Sequence, residues 1–134
     1  MDAFEIQKEL NQFCGTQAYH RLSPFFRKVV GTDGVVEMAK LCKANWLVSD
    51  IAMLISMNLK DNEEAKYFQS WKLTVKDNQA TLVCEDGNGG ILYQSEDHTN
   101  FYTDFPLEEI TLWVEPTYME GEGNLFVVML PNER

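Results

Sequence analysis

Cys14 and His20 stand six residues apart and are the nearest approach in this chain to a nucleophile and a base. A thiol becomes a nucleophile beside a cation or at a helix N-terminus, where its pKa falls. Cys14 sits instead at the expected end of the first helix, and nothing in the stretch activates it. A small core residue is the preferred reading for Cys14, and equally for Cys42 and Cys84. Three distant cysteines make no disulfide framework and point to a reducing, cytoplasmic setting. The two histidines, His20 and His98, lie in different halves, and no Cys or His pair has ligand spacing, so no metal or cofactor is expected. Asp86-Gly87-Asn88-Gly89-Gly90 puts Asp86 and Asn88 where a calcium loop begins. It then places Gly90 and Ile91 where a further ligand and the invariant glycine belong, so a hairpin turn is the better reading.

Two further groups carry charge into special places. Asp50 lies inside an apolar helical run, where an unpaired carboxylate is costly. It is expected at the helix rim, or paired with Arg21 or Arg27. Its alternative role is in a pocket between helices and sheet, with His20 and Arg21, that takes a small molecule or nucleotide, in a binding protein or an enzyme. Gly31-Thr32-Asp33-Gly34 leads into a helix whose N-terminus attracts anions, but it lacks the lysine of a phosphate loop, and Asp33 opposes an anion. Arg21, Arg27 and Lys28, with Phe25 and Phe26, suit an anion or an acidic partner. Basic side chains lying over a hydrophobic lid account for them more simply.

The elements that must position these residues change character near residue 66, from helical periodicity to strand alternation. A first helix is expected from Ala3 to Phe13, capped by Asp2 with Glu5 at capping-box spacing, striped by Ala3, Ile6, Leu10 and Phe13, and ended by Gly15. Gln17–Leu22 reads as a short strand. Thr32 or Asp33 caps a second helix reaching Lys43, with Val35, Met38, Ala39 and Cys42 inward. A third, from Asn45 to Met57, is apolar nearly all round and should be the central helix.

From Phe68 the period becomes two. Trp71, Leu73 and Val75 share one face of the first strand, and Ala80, Leu82 and Cys84 line the next, after a turn at Asp77-Asn78. Ile91–Ser95 follows and resumes through Phe101–Thr103 after a bulge at Asp97–Asn100. Asp104-Phe105-Pro106-Leu107 turns the chain, Ile110, Leu112 and Val114 face inward, Pro116–Gly123 forms an acidic loop, and Leu125–Leu130 is a last, more buried strand. The expected fold is one α+β domain spanning residues 1–134. Residues 1–66 are mainly helical and 67–134 mainly strand, with N-terminal helices packed on one face of an antiparallel meander of about five strands.

Several segments resemble a family of small bacterial, plasmid and phage proteins described only as a domain of unknown function. They include Phe13-Cys14-Gly15-Thr16 with Tyr19 and Arg21, Thr32-Asp33-Gly34-Val35, and Ala44-Asn45-Trp46-Leu47 with Asp50. Trp71-Lys72-Leu73-Thr74-Val75, Leu82-Val83-Cys84-Glu85-Asp86-Gly87-Asn88, Thr103-Asp104-Phe105-Pro106-Leu107 with Ile110, and Met129-Leu130-Pro131 follow in order. The resemblance implies no activity, catalytic residue or ligand. It implies an origin in phage or mobile elements. The Asp97–Asn100 stretch and the Pro116–Gly123 loop depart from the family pattern.

Charge narrows the partners. Residues 1–66 hold eight Lys/Arg and nine Asp/Glu, a net of −1, whereas residues 67–134 hold three and twelve, a net of −9. Such a surface disfavours direct nucleic-acid binding and favours a basic protein surface or host protein complex. Placed on the expected strands, the carboxylates form two rims rather than one slab. Asp104, Glu108 and Glu109 fall at one end, and Glu115, Glu120, Glu122 and Asp86 at the other. No apolar run is long enough to cross a membrane, and no signal peptide is evident. The expected function is a non-enzymatic protein-binding module, with an anti-CRISPR-like inhibitor of a host defence nuclease as one form. A homodimer pairing through a sheet edge or the lid around Phe25 and Phe26 is a further possibility.

Overall fold

The structure is a computed structural model and describes residues 1–95 and 101–134. It combines three α-helices with a mostly antiparallel sheet. Helix α1 spans Ala3–Leu10, α2 Asp33–Leu41 and α3 Asn45–Met57. The strands are β1 (His20–Arg21), β2 (Val29–Gly31), β3 (Gln69–Lys76), β4 (Gln79–Glu85), β5 (Ile91–Gln94), β6 (Phe101–Tyr102), β7 (Glu109–Met119) and β8 (Gly123–Met129). Seven lie in the order β1-β2-β8-β7-β3-β4-β5, and β6 pairs with β4 beside them.

Local chemistry explains the helix limits. Asp2 Oδ1 accepts from the Glu5 N–H at 2.9 Å, satisfying one of the free donors of the first turn. α1 stops at Leu10, short of Phe13 and before Gly15, and of its expected stripe only Ile6 and Leu10 are buried there. Thr32 caps α2 by accepting from the Val35 N–H. α2 ends at Leu41, before Lys43, which adopts φ 52°. The inward set of Val35, Met38, Ala39 and Cys42 is buried as expected. α3 has the expected limits, but it is not enclosed on all sides, since Met53 and Met57 are exposed.

The sheet corrects the meander of about five strands. β3, β4 and β5 follow one another, but the chain then returns to the other edge of β3, where β7 pairs with it. The first 66 residues add two more strands, and β2 runs parallel to β8, with Val30 opposite Val127. Gln17–Leu22 contributes only His20–Arg21, and the expected Phe101–Thr103 strand is Phe101–Tyr102. Asp77 and Asn78 have φ 53° and 62°, the left-handed pair that a two-residue hairpin needs. The expected bulge at Asp97–Asn100 lies outside the described residues. The register does shift between Cys84 and Glu85.

Inward strand residues Trp71, Leu73, Ala80, Leu82, Cys84, Ile110, Leu112 and Val114 form one core with the buried sides of all three helices. Val30, Leu125, Val127 and Met129 make a second, smaller apolar cluster with Trp113 and Met119. β8 therefore packs on both faces, as its continuous apolar run implies. No helix among the described residues is long and apolar enough to cross a membrane.

Pro116–Gly123 is not a loop. β7 continues through Pro116 to Met119 and pairs with β8 as far as Gly123, leaving only residues 120–122 as the turn. β3 stops opposite Val114, so the end of β7 pairs with β8 alone and projects as a two-stranded ribbon. The Phe126 N–H donates to Lys28 and the Val128 carbonyl accepts from Thr32, both on the β2 side. Odd-numbered β8 residues therefore bond β7, whose even-numbered residues face β3 or, beyond Val114, the open edge. Pro116 removes the first donor on that edge, which blunts it against further strand pairing.

Candidate functional site

The ribbon is the part of the fold where two turn carboxylates, an exposed tyrosine and basic residues of the N-terminal segment meet. Tyr118 is 72% exposed on it, and Glu120 and Glu122 form its turn. Arg21 Nη2 lies 3.4 Å from Glu122 Oε1, and Lys28 Nζ donates to the Glu122 carbonyl at 2.5 Å. A small cavity of about 100 Å³ beside these contacts is lined by Tyr19, Arg27, Val30, Met119 and Leu125. The basic cluster thus holds the acidic hairpin of its own chain. Phe26 packs on the core while Phe25 stands 84% exposed, so only one of the pair serves as lid.

The register separates the other carboxylates. Glu109 lies opposite Thr74 at the end of the sheet bearing the Asp77-Asn78 turn, 3.4 Å from Lys72 Nζ. Asp104 and Glu108 are exposed nearby in sequence. At the other end Glu115 Oε1 lies 2.6 Å from Arg134 Nε, whose guanidinium also sits over the rings of Phe68 and Trp113, at 5.8 and 5.7 Å. Asp86 folds back on its own turn, where Oδ1 accepts from the N–H groups of Asn88 and Gly90 at 2.7 and 3.0 Å. That oxygen is committed to the turn, in keeping with the hairpin reading. Among the described residues, Asp104, Glu108 and Glu120 form no ion pair.

Among the described residues, the contacts of His20 and Arg21 lead away from Asp50. His20 Nε2 lies 2.8 Å from Asp33 Oδ1, while Arg21, the next residue on the strand, reaches Glu122 instead. Asp33 also accepts from the Gln17 backbone N–H. That bond first, and then His20, holds its carboxyl below the usual 3.8. Asp50 is exposed on α3, and no hydrogen bond or ion pair among the described residues joins it to His20, Arg21 or Arg27. Partial desolvation of its carboxyl raises its pKa.

The N-terminus of α2, considered above as an anion site, is filled by the protein itself. Pro131–Glu133 forms a 3-10 turn that brings the buried Glu133 carboxylate onto it. Glu133 Oε1 accepts from the Thr32 hydroxyl and the Leu130 N–H, at 2.5 and 2.9 Å, and Oε2 accepts from the Gly34 N–H at 3.0 Å. A Cβ on Gly34 would stand 2.6 Å from Glu133 Oε1, so the close approach needs glycine. Sequence reading missed Glu133, because its partners lie about a hundred residues away. It also missed Gln69, whose inward position in the Gln69, Trp71, Leu73 alternation was visible.

The cysteines offer no reactive pair. Cys42 and Cys84 are buried, and burial pushes their thiols up to about 11 and about 12. Cys14, expected in the core, is exposed. The native chain is expected to release one equivalent of chromophore rapidly with Ellman's reagent, and all three only in urea. Rapid reaction of a second thiol in the native state would contradict this burial.

A family of unknown function, DUF6876, matches residues 4–134. The chain belongs to that family. Its matched span runs from the second residue of α1 through every later helix and strand, the ribbon among them. No curated protein matches the chain. A crystal structure of a protein of unknown function from Enterococcus faecalis is similar in fold. It has a TM-score of 0.50 and 15% identity, over 87% of this chain and 98% of that one. The likeness extends the DUF6876 architecture to a distant sequence and carries no activity with it.

Proposed function

We propose that this protein is a non-enzymatic binding module whose contact element is the β7–β8 ribbon, presented to a basic protein surface. The ribbon carries the reading. It projects beyond β3 and ends in an exposed carboxylate, Glu120, that no basic side chain among the described residues engages. Its open edge is blunted by Pro116, so the contact is made by side chains rather than by an added strand. The net charge of −10 favours a cationic partner and speeds encounter with it. A nucleic-acid channel of a host nuclease is one surface of that kind.

The immobilised chain is expected to retain a basic partner from a host extract at low salt and release it near about 0.5 M salt, where screening is strong. Glu120→Lys should abolish retention without altering the fold, because the side chain is exposed and makes no ion pair. Retention that is indifferent to both salt and Glu120→Lys would remove the ribbon tip from the argument.

A further inference from the structure

The ribbon outgrows the layer that covers the sheet. On its inward face Leu112, Val114 and Val128 are buried, but the next residues in the same alternation are not. Pro116 lies opposite Phe126, and Tyr118 opposite Asn124. Pro116, Tyr118 and Asn124 are exposed and Phe126 is half-buried, which leaves an apolar and aromatic floor beyond the core. The chain leaving α3 supplies the wall, with Lys60 and Lys66 lining the same concavity. The cleft encloses about 520 Å³. That volume falls within the roughly 300–1,000 Å³ of ordinary small-molecule sites.

The charged residues that line this floor are both basic, Lys60 and Lys66, although Asp61, Glu63 and Glu64 leave the segment 60–66 at a net of −1. Lys66 Nζ is held by Glu63 at 2.9 Å. Lys60 has no carboxylate partner among the described residues, so its charge is available to a ligand. The ring of Tyr118, 72% exposed, has an open surface on which another ring can stack. Asn124, beside Tyr118 on the same face, adds an amide group to the lining.

We propose that this cleft binds a small aromatic anion, its ring laid on Tyr118 and Phe126 and its phosphate or carboxylate taken by Lys60 with Lys66 beside it. Nucleotides and aromatic carboxylates share that chemistry. The site is separate from the ribbon tip assigned to a protein partner, and it stands whether or not that partner exists.

Titration of the labelled full chain, followed by its backbone amide resonances, tests the site. Adenosine monophosphate and indole-3-carboxylate are the two ring anions. Adenosine and inorganic phosphate supply ring and charge separately. At least one ring anion is expected to shift Lys60, Thr117, Tyr118 and Asn124 saturably. Binding should be about tenfold weaker for the separate ring or charge, and about tenfold weaker in Lys60→Glu. Saturation by the nucleotide alone assigns the site to nucleotides. Saturation by the carboxylate, alone or with the nucleotide, assigns it to ring anions in general. No saturable shift at millimolar concentration, equal binding of adenosine, or unchanged affinity in Lys60→Glu would overturn the proposal. Glu120→Lys should leave these shifts in place, which separates failure of the cleft from failure of the ribbon tip.

Discussion

Trp71→Ala is expected to destabilise the fold by about 3–5 kcal/mol. Trp71 is 1% exposed on β3, flanked by Leu112 of β7 and Cys84 of β4, with the Tyr93 ring 5.9 Å from its own. Its indole N–H donates to Gln69 Oε1 at 2.8 Å, and Gln69 Nε2 donates to the Ala65 carbonyl at 3.0 Å. Truncation therefore empties a large volume and leaves a buried amide oxygen without its donor. Trp71→Phe keeps much of the volume and loses the donor, so it should cost about 1–3 kcal/mol. Urea unfolding of the three proteins measures both differences. A loss below about 1 kcal/mol for the alanine variant would contradict the packing described here.

Glu133→Ala is expected to cost about 2–4 kcal/mol, since a carboxylate that accepts three hydrogen bonds at a helix N-terminus is removed from a buried site. The Thr32 hydroxyl and the N–H groups of Gly34 and Leu130 all lose their acceptor. Gly34→Ala perturbs the same space from the other side, its Cβ meeting Glu133 Oε1 and Leu130 Cδ1. The double variant should then be less destabilised than the two losses added together, because alanine at 133 vacates the position that the new methyl group enters. Additive losses in denaturant unfolding would show that the two residues do not share that contact.

Much of the fold was legible where a segment's own pattern decides its structure. The apolar run fixed α3 at Asn45–Met57, and the inward set of β4 followed from the alternation of Ala80, Leu82 and Cys84. Asp77-Asn78 announced its turn through residues that tolerate positive φ. Legibility failed where structure comes from distant partners. Val29–Gly31 is too short to show an alternation, and only β8 makes it a strand. Proline, glycine and glutamate signal turns, so Pro116–Met119 reads locally as loop. Proline removes only one donor, and here that donor would face an open edge. The candidate site was readable in part for the same reason. Turn chemistry located Glu120 and Glu122, but nothing local shows that Arg21 and Lys28 hold Glu122. Lys60 and Lys66 carry no local signal, because a cleft beneath a ribbon depends on where the helices stop covering it.

The parallel pairing of β2 with β8 sets an order of events during synthesis. Residues 29–31 leave the ribosome early, yet their partners are residues 126–128. Until those emerge, β2 has no neighbour except the two-residue β1, and Val29, 0% exposed in the finished fold, has no strand beside it on that side. The helices and the β3–β4 hairpin can form from local contacts in the meantime, whereas this part of the sheet must wait for nearly the whole chain. The interval leaves an apolar N-terminal segment uncovered, open to chaperones and to mispairing. Slowing translation beyond residue 85 should therefore lengthen the period in which the nascent chain is captured through Val29–Gly31 rather than through its helices.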